Sequence, residues 1–440
     1  MPELFDKFLV KSLQKDKKLL EKSEIPTITV SAAYREDLKR VHGYPDNDST
    51  PDVVFSRAHF SMAAGIAVQV WGKKVDPKKM WVVDPTNYVS HKQWSSILLT
   101  ENIGKILARH KFLKLLKDIV DKFGRSKLPI LKSITPPLLH LTENINYPIL
   151  SLHIAAGNIL AGQGKNIIQV ITDPHVRDEY VFNADKGNMV FCVFDEQTKT
   201  EFLEKAALMG KEANPDRIIV TGPPVDPRII ECRKKKQPWR SGCLNLCLTT
   251  GGLGTNSQEM MEVVEQLVPK LKNKNCKFKL LVYTGTHEDI YKEIVNIIKK
   301  HKIKIGKNND SSAQIRVMFH PQLVDANELL INYAFPWAHG FITKPSGDMA
   351  YDAVASGSFI LTLDEWGEWE ERIREVFEQL EISRIALTEN IAAQLQVLTS
   401  AQGKAQSWIE KAMINAHKID PLFLNGSKEI IKVVKEFKKK

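Results

Sequence analysis

LNLCLTTGGLGTN, residues 244–256, joins an apolar run to a glycine-rich turn. The run predicts a buried strand over 244–250, and the apolar spacing after the turn predicts a helix over 257–271. Glycine allows positive φ and close backbone approach, and a helix N-terminus offers unpaired N–H groups. The turn therefore favours phosphate binding, with these candidate residues: Thr250, Gly251, Gly252, Leu253, Gly254, Thr255 and Asn256.

The turn is not the dinucleotide fingerprint, because the last glycine of G-x-G-x-x-G would fall on Ser257. It also lacks the lysine of a P-loop. By itself it leaves a purely structural role open.

Working outward from this turn, apolar runs alternate with helical stretches in both halves of the chain, which predicts parallel sheets with helices on both faces. The strands expected in the first half are 52–56, 80–84, 167–172, 189–194 and 217–221, with helices over 61–71 and 196–209. Those expected in the second half are 278–283, 315–319, 340–343 and 359–363, with a helix over 288–300. The first 50 residues look irregular, and residues 222–242 have the composition of a linker.

A second loop follows the strand at 340–343 and reads KPSGDMAYDAVASG over 344–357. Its proline, serine and glycine predict a tight turn into a helix. Asp352 would lie one to two turns into that helix, where a carboxylate can accept hydrogen bonds from two ribose hydroxyls; a solvated helix residue is the alternative. The candidates in the turn are Lys344, Pro345, Ser346, Gly347, Asp348 and Met349.

A third loop, SRAHFSMAAG at 56–65, places His59 between a predicted strand and a small-residue helix. A histidine there can act as a general base. A hydrogen-bonded, partly buried side chain without chemistry is the alternative.

Length, charge and cysteine content limit the cellular compartment and the class of partner that we expect. The chain has 440 residues, a formal charge of +10 and five cysteines that form no C-x-x-C pair. We expect reduced thiols in a cytoplasmic protein, because no apolar run is long enough to span a membrane and no signal peptide is visible. The sequence has neither a Cys/His zinc-finger pattern nor an aromatic RNA-binding signature, so we do not expect nucleic acid as a partner. Oligomeric state is not readable from the sequence.

Much of the positive charge lies in residues 101–132, where lysines and arginines alternate with apolar residues at helical spacing. Two interpretations stay open. One is a helix on an anionic membrane surface, which would make the protein peripheral on the inner face of the membrane. The other is a packed helix with a solvated basic face.

Together these loops resemble GT-B glycosyltransferases, in particular the group of the lipid II-forming N-acetylglucosaminyltransferase and the monogalactosyl- and diglucosyl-diacylglycerol synthases. Thr250–Gly254 is similar to the T-G-G-x-x-G loop of that group, and Lys344–Ala353 is similar to K-P-G-G-x-T-x-x-E-A. Val220–Val225 matches V-T-G-x-P-V, and Thr172-Asp173 matches a Thr-Asp pair with His175 nearby. Ser56–Ala63 keeps only the histidine and serine of G-G-G-H-x-S-A-A.

The resemblance implies an α/β protein of the GT-B fold, in which two Rossmann-like, doubly wound parallel-sheet domains face each other across a cleft. The expected divisions are an N-terminal extension (1–50), an acceptor domain (51–225), a nucleotide-sugar domain (226–385) and helices that pack back on the body (386–440).

The implied activity moves a sugar from a nucleotide-sugar, expected to be UDP-linked, to a lipid or other hydroxyl acceptor with inversion. The helix N-termini after Gly254 and Ser346, with Lys344, would offset the charge of the leaving diphosphate, so that no metal or other cofactor is required. His59 would be the base and Asp352 would bind ribose. Glu368 or Glu370 would hold sugar hydroxyls, and the acceptor side would comprise Arg57, Ser61, Asp173 and His175.

Three alternatives stay open. Asp46-Asn47-Asp48 spells the D-x-D metal motif of the other glycosyltransferase fold, but it lies in a turn with no strand before it. A sugar-nucleotide epimerase shares the GT-B fold, although no His-Arg-x-x-Asn stretch is present. A catalytically inactive nucleotide-sugar-binding protein would also explain why the first-domain loop has lost its glycines.

Overall fold

The computed structural model describes residues 7–44, 51–109, 129–273, 276–401 and 405–438. The chain divides into two compact units. The first unit holds the residues up to Pro227 and those from Pro421 onwards, and the second runs from Arg228 to Asp420. The last helix therefore belongs with the first unit.

The first unit is built on a sheet of six parallel strands, with a small two-stranded sheet beside it. Its strands are β1 Ile25–Ile28, β2 Ala32–Ala33, β3 Val53–Val54, β4 Met80–Val83, β5 Ile149–Ser151, β6 Ile167–Val170, β7 Met189–Val193 and β8 Ile218–Val220. The large sheet has the order β4-β1-β5-β6-β7-β8, and β2 pairs antiparallel with β3. Its helices are α1 Lys7–Lys22, α2 Glu36–Lys39, α3 Arg57–Trp71, α4 His91–Arg109, α5 Pro129–Thr142, α6 Ile154–Gly162, α7 Asp178–Val181 and α8 Glu196–Leu208.

The second unit repeats this plan with six more parallel strands in the order β11-β10-β9-β12-β13-β14. These are β9 Leu244–Thr249, β10 Phe278–Tyr283, β11 Ile315–Met318, β12 Gly340–Thr343, β13 Phe359–Thr362 and β14 Ser383–Ile385. The helices are α9 Pro227–Lys235, α10 Ser257–Leu267, α11 Glu288–Lys300, α12 Leu323–Leu329, α13 Met349–Ala355, α14 Glu368–Gln379, α15 Ile391–Thr399 and α16 Trp408–His417. The helix α17, Leu422–Phe437, returns to the first unit. The prediction of two doubly wound parallel sheets is confirmed.

Each sheet reverses its strand order at one place. In the first sheet the reversal lies between β1 and β5, and in the second it lies between β9 and β12. Loops that leave the carboxyl ends of two such strands diverge and leave a crevice, which is where ligands bind in open α/β sheets. The fold thus marks one candidate position in each unit.

The start of the first sheet differs from the prediction. Residues 52–56 were expected to form a strand of that sheet, but only Val53 and Val54 are extended, and they pair with Ala32 and Ala33 outside it. The first strand of the sheet is instead β1, inside the stretch that looked irregular. A proline such as Pro26 lacks the N–H that a central strand normally uses. Here the N–H groups of Ile25 and Thr29 bond towards β4, so the position without an N–H faces β5, where pairing begins only at Thr27.

The predicted linker at 222–242 is also partly regular, because Pro227–Lys235 forms a helix. One lysine of this polar stretch, Lys236, is buried. Lys236 Nζ donates to Ala338 O at 2.7 Å and lies 3.1 Å from Ser356 Oγ and 2.8 Å from Ser358 Oγ. Three oxygen acceptors satisfy an ammonium group that burial would otherwise disfavour.

Residues 101–132, predicted as one basic amphipathic helix, overlap two helices. Residues 101–109 form the end of α4, α5 begins at Pro129, and 110–128 lie outside the described residues. Asp46–Asp48 and the last two lysines lie outside them as well. In the part of the chain that the structure describes, no helix is both long and apolar enough to cross a membrane.

Candidate functional site

Two of the predicted loops meet at the strand reversal of the second sheet. β9 ends at Thr249 and β12 ends at Thr343, and the two strands are neighbours. Thr249 Oγ1 donates to Thr343 Oγ1 at 2.7 Å, which ties the two loop starts together. The glycine-rich loop and the Lys344 loop therefore leave the sheet side by side.

The glycine-rich loop is folded tightly on itself before α10 begins. Gly254 N–H donates to Gly251 O at 3.0 Å, and Thr250 Oγ1 donates to Thr255 O at 3.2 Å. Gly254 has φ +74°, and Asn256, the residue before the helix, has φ +65°. These left-handed conformations account for a glycine and an asparagine there.

Gly251 is required by a neighbour rather than by its own φ angle. A Cβ atom at Gly251 would lie 2.9 Å from Lys344 Cε and 3.1 Å from Thr255 Oγ1. A side chain at residue 251 would push the stem of Lys344 away from its present position across the loop. The glycine of the first loop and the lysine of the second therefore form one arrangement.

Lys344 is held in this position by a buried carboxylate. Its Nζ forms an ion pair and hydrogen bond with Glu370 Oε1, and the side chains are 11% and 1% exposed. Glu370 Oε2 accepts from the backbone N–H of Trp366 at 2.8 Å. Both carboxylate oxygens thus have protein partners, which fits a residue that positions Lys344 better than one that binds sugar hydroxyls.

The loop after β13 completes the group. Asn256 Nδ2 donates to Asp364 O at 3.0 Å and to Glu259 Oε1 at 3.2 Å. Lys344 Nζ lies 5.7 Å from the centre of the Trp366 ring, near enough for a cation–π contact. Three loops, after β9, β12 and β13, are therefore joined by side-chain contacts within one unit.

Ser346 stands where the resembling group has glycine, and it organises the turn into α13. Its Oγ accepts from Met349 N–H at 3.2 Å and donates to Asp348 Oδ1 at 2.6 Å. Asp348, Met349 and Asp352 are buried, so the solvated alternative for Asp352 does not hold. Glu368, at the start of α14, is exposed.

In the first unit, His59 lies in the first turn of α3, and Ser56 caps that helix by accepting from His59 N–H at 3.3 Å. The helix begins at Arg57 rather than at Ser61 as expected. The His59 ring faces the sheet: Nδ1 lies 3.2 Å from Val30 O, and Nε2 lies 3.4 Å from Thr172 Oγ1. The ring of His153 packs edge-on against it, with the ring centres 5.1 Å apart.

Val30, His153 and Thr172 follow β1, β5 and β6, so His59 lies at the strand reversal of the first sheet. The sequence pattern predicts His59 after a strand of the large sheet at 52–56, and Val30, Thr172 and His153 were not among the predicted site residues. A signal was available for His153 and Thr172, because each comes directly after a buried apolar run, as the residues of the other loops do. Val30 follows a stretch with a proline and two threonines and gave no such signal.

The other candidates on the acceptor side are held separately. Asp173 Oδ2 lies 3.9 Å from Arg177 Nη2, and His175 pairs with Glu201 at 2.9 Å. Burial raises the pKa of Glu201, but the hydrogen bonds from His175 and from Val176 N–H outweigh it and lower the pKa below its ordinary value.

Arg57 and Ser61 flank His59 on α3. Arg57 is buried, and Ser61 Oγ donates to Ala58 O at 3.1 Å within the helix. Over the described ranges, no three His, Cys, Asp or Glu side chains come together as metal ligands.

No protein-family model matches the chain, and no curated protein matches it in sequence. Solved structures do match. The UDP co-structure of MnaA from S. aureus is 12% identical, with a TM-score of 0.52, over 93% of this chain and 95% of that one.

The UDP-GlcNAc 2-epimerase of Neisseria meningitidis bound to UDP-GlcNAc is 12% identical, with a TM-score of 0.53, over 93% and 99% of the two chains. A putative UDP-N-acetylglucosamine 2-epimerase from Listeria monocytogenes is 13% identical, with a TM-score of 0.52, over 93% and 95%. At these identities the likeness is one of fold, and the GT-B fold expected from the sequence is confirmed.

Proposed function

We propose that this protein is a glycosyltransferase that moves a sugar from a UDP-linked donor to a hydroxyl group of a lipid or another acceptor, with inversion and without a metal ion. The second unit binds the donor, and His59 of the first unit takes the acceptor proton. No cofactor is needed, because the nucleotide-sugar is itself a substrate.

One observation carries the proposal: the convergence of three loops at the strand reversal of the second sheet. Gly251 makes room for Lys344, Glu370 holds Lys344, and Asn256 bridges to Asp364. A lysine side chain beside the N-terminus of an 11-residue helix, α10, places positive charge where a diphosphate leaving group needs it.

The reaction breaks the bond between the anomeric carbon and the diphosphate oxygen, and the electron pair leaves with the diphosphate. The acceptor oxygen forms the new bond from the opposite face, which inverts the anomeric carbon. The acceptor proton goes to His59 Nε2. Asp352 binds the ribose, Glu368 remains the candidate for sugar hydroxyls, and Lys344 stabilises the released diphosphate.

The first experiment is a thermal-shift screen with UDP, other nucleoside diphosphates and their sugars, since a ligand of the folded state raises the melting temperature. UDP heads the panel because structures with this fold contain UDP and UDP-GlcNAc. A shift with UDP and its sugars supports the donor site. No shift with any nucleotide contradicts the proposal.

A second experiment separates the activities open to a protein that binds donor. Transfer of labelled sugar to lipid extracts or sugar alcohols, with release of UDP, supports the transferase. Epimerised nucleotide-sugar without acceptor supports an epimerase, and binding without either product supports an inactive binding protein. Both of these results contradict the proposed activity.

We also propose that the protein attaches reversibly to an anionic membrane surface through α4. Leu99, Ile103 and Ile106 are 52%, 38% and 54% exposed and lie at helical spacing on one side of the helix, and Lys105 and Arg109 are near them in sequence. An exposed apolar stripe with basic neighbours suits an anionic lipid surface. The opposite side is packed: Glu101 Oε1 accepts from Val54 N–H at 3.3 Å.

A further inference from the structure

A chain of hydrogen bonds leads from Arg177 to the His59 ring inside the first unit. Arg177 Nη2 donates to Tyr180 Oη at 3.0 Å, and Tyr180 Oη lies 3.3 Å from Thr172 Oγ1. Thr172 Oγ1 lies 3.4 Å from His59 Nε2. Thr172 and Tyr180 are buried, which strengthens hydrogen bonds between them.

The direction of donation along this chain follows from its arginine. A guanidinium group only donates, so Tyr180 Oη accepts from Arg177 and its own proton is directed to Thr172. The Thr172 proton is then directed to His59 Nε2. The opposite ring nitrogen leads to the same result, because Val30 O only accepts and His59 Nδ1, 3.2 Å away, must carry hydrogen to bond with it.

We propose that Arg177, Tyr180 and Thr172 hold the His59 imidazole in the tautomer with hydrogen on Nδ1 and a lone pair on Nε2, so that Thr172 is a positioning residue of the reaction. This inference rests on the proposed function, in which His59 Nε2 is the base. The tautomer matters because an imidazole with hydrogen on Nε2 has no free lone pair at that atom and cannot accept a proton there.

The last contact of the chain is weak enough for an acceptor hydroxyl to replace it. At 3.4 Å the bond from Thr172 is near the long limit for a hydrogen bond. A substrate hydroxyl at about 2.8 Å would bond more strongly to the same lone pair. Thr172 therefore orients the ring in the resting protein, and the acceptor hydroxyl takes over its place at Nε2 when it binds.

Four variants of the full chain test the inference: Thr172→Val, Thr172→Ser, Tyr180→Phe and Thr221→Val. Thr221 is the matched control, because it is equally buried, follows β8 of the same sheet, and its Oγ1 donates to backbone oxygens of Val193 and Gly222. The ring nitrogens of His59 are observed by long-range proton–nitrogen correlation at about pH 8, where imidazole is neutral. His59→Gln identifies the signal.

We expect one tautomer, with hydrogen on Nδ1, in the wild type, Thr172→Ser and Thr221→Val. In Thr172→Val and Tyr180→Phe the tautomer with hydrogen on Nε2 becomes detectable beside it, because Val30 O alone then selects the Nδ1–H form. The kcat of both variants falls about tenfold, the effect of one hydrogen bond, with an unchanged KM for the donor. An unchanged tautomer in both variants overturns the inference, and so does an equal change in Thr221→Val.

The nitrogen measurement needs no turnover, so the two proposals fail separately. A wild type that shows the expected tautomer pattern across the variants but never transfers sugar overturns the proposed function and supports the hydrogen-bond chain. Thermal unfolding of each variant shows whether a lost signal comes from a lost fold.

Discussion

The two strand reversals differ in how their side chains are brought together. In the second unit, the loops after β9 and β12 carry short local motifs that are visible before folding, namely the glycines 251, 252 and 254 and the turn at 344–347. In the first unit, the environment of His59 comes from single residues after different strands, among them Val30, His153 and Thr172.

The difference teaches that a binding loop and a proton-accepting side chain leave different traces in a sequence. A loop that binds phosphate needs several special backbone conformations in a row, which select glycine, serine and proline. A base needs one ring held by distant partners, and none of those partners is an unusual residue for a buried strand end.

Replacing His59 with alanine tests the first unit and has the largest expected effect. Turnover should fall by about 10²- to 10⁴-fold, because a general base is lost, while affinity for UDP stays unchanged, because the donor residues belong to the second unit. Steady-state kinetics and calorimetry measure the two quantities. The comparison control is His140→Ala, which replaces a histidine of α5 in the same unit that bonds with Gln14 and has no role in the proposed reaction, so its turnover should match that of the wild type. Equal turnover of wild type and His59→Ala would place the base elsewhere, with His175 the next candidate.

Breaking the Lys344–Glu370 pair tests the second unit. Glu370→Gln leaves a mostly buried lysine without its counter-ion and should lower the free energy of unfolding by about 3 kcal/mol, measured in urea. The double variant Lys344→Met with Glu370→Met should regain most of that stability, since removing both charges is often nearly neutral. The UDP affinity of the double variant should be lower than that of the wild type, because Lys344 is absent. If the double variant binds UDP as tightly as the wild type does, Lys344 does not bind the diphosphate.

Asp352→Ala sharpens the assignment of the ribose site. Loss of charge-assisted hydrogen bonds should weaken UDP binding by about 1–3 kcal/mol in titration calorimetry. Asp325→Ala, in α12 of the same unit, is the control. Affinity equal to wild type would remove Asp352 from the site and leave the second unit's motifs with a structural role at that position.

Acid should weaken the second unit through His339. Asn245 N–H donates to His339 Nδ1 at 3.0 Å, which requires a neutral ring, and burial together with Lys236 lowers the pKa of His339 from 6.5 to about 4. Between these two pH values the unfolded chain binds more protons, so this stability is present above pH 6.5 and is lost as pH falls towards 4.

His339→Asn keeps a side-chain acceptor but removes the titration. We expect its unfolding free energy to fall less than that of wild type between pH 6.5 and 4, by on the order of 1 kcal/mol, in urea titrations at each pH. Burial also lowers the pKa of His417 to about 4, so some acid dependence should remain. Parallel curves for wild type and variant would contradict this role for His339.

The smallest expected effect is on membrane binding, which we expect from exposed residues of the first unit and not from those of the second. The wild type should sediment weakly with anionic vesicles and be released as salt rises, because screening weakens the attraction of basic groups. Serine at Leu99, Ile103 and Ile106 should abolish sedimentation. Serine at Ile385 and Leu387, which are exposed in the second unit, should not. Equal recovery in the supernatant with neutral and anionic vesicles would support a solvated basic face.

The sequence by itself determined the class of fold and the loops of the second unit. Short β-branched apolar runs between turn residues favour strands buried on both sides, and positive-φ turns select glycine within a few residues, so both signals are local. The strands 278–283 and 340–343 lie where the pattern predicts them, and seven others differ by one or two residues at their ends. The strand predicted at 52–56 is not part of the large sheet, and Ile25–Ile28, Ile149–Ser151 and Ser383–Ile385 were not predicted.

Only the tertiary structure decided which residues surround His59, that Pro26 belongs to a strand of the large sheet, and that Glu370 faces Lys344. Strand order, parallel register and the burial of one charge against another depend on contacts between distant parts of the chain. No local periodicity encodes those contacts, because parallel strands need long crossovers and can be ordered in many ways with the same apolar runs.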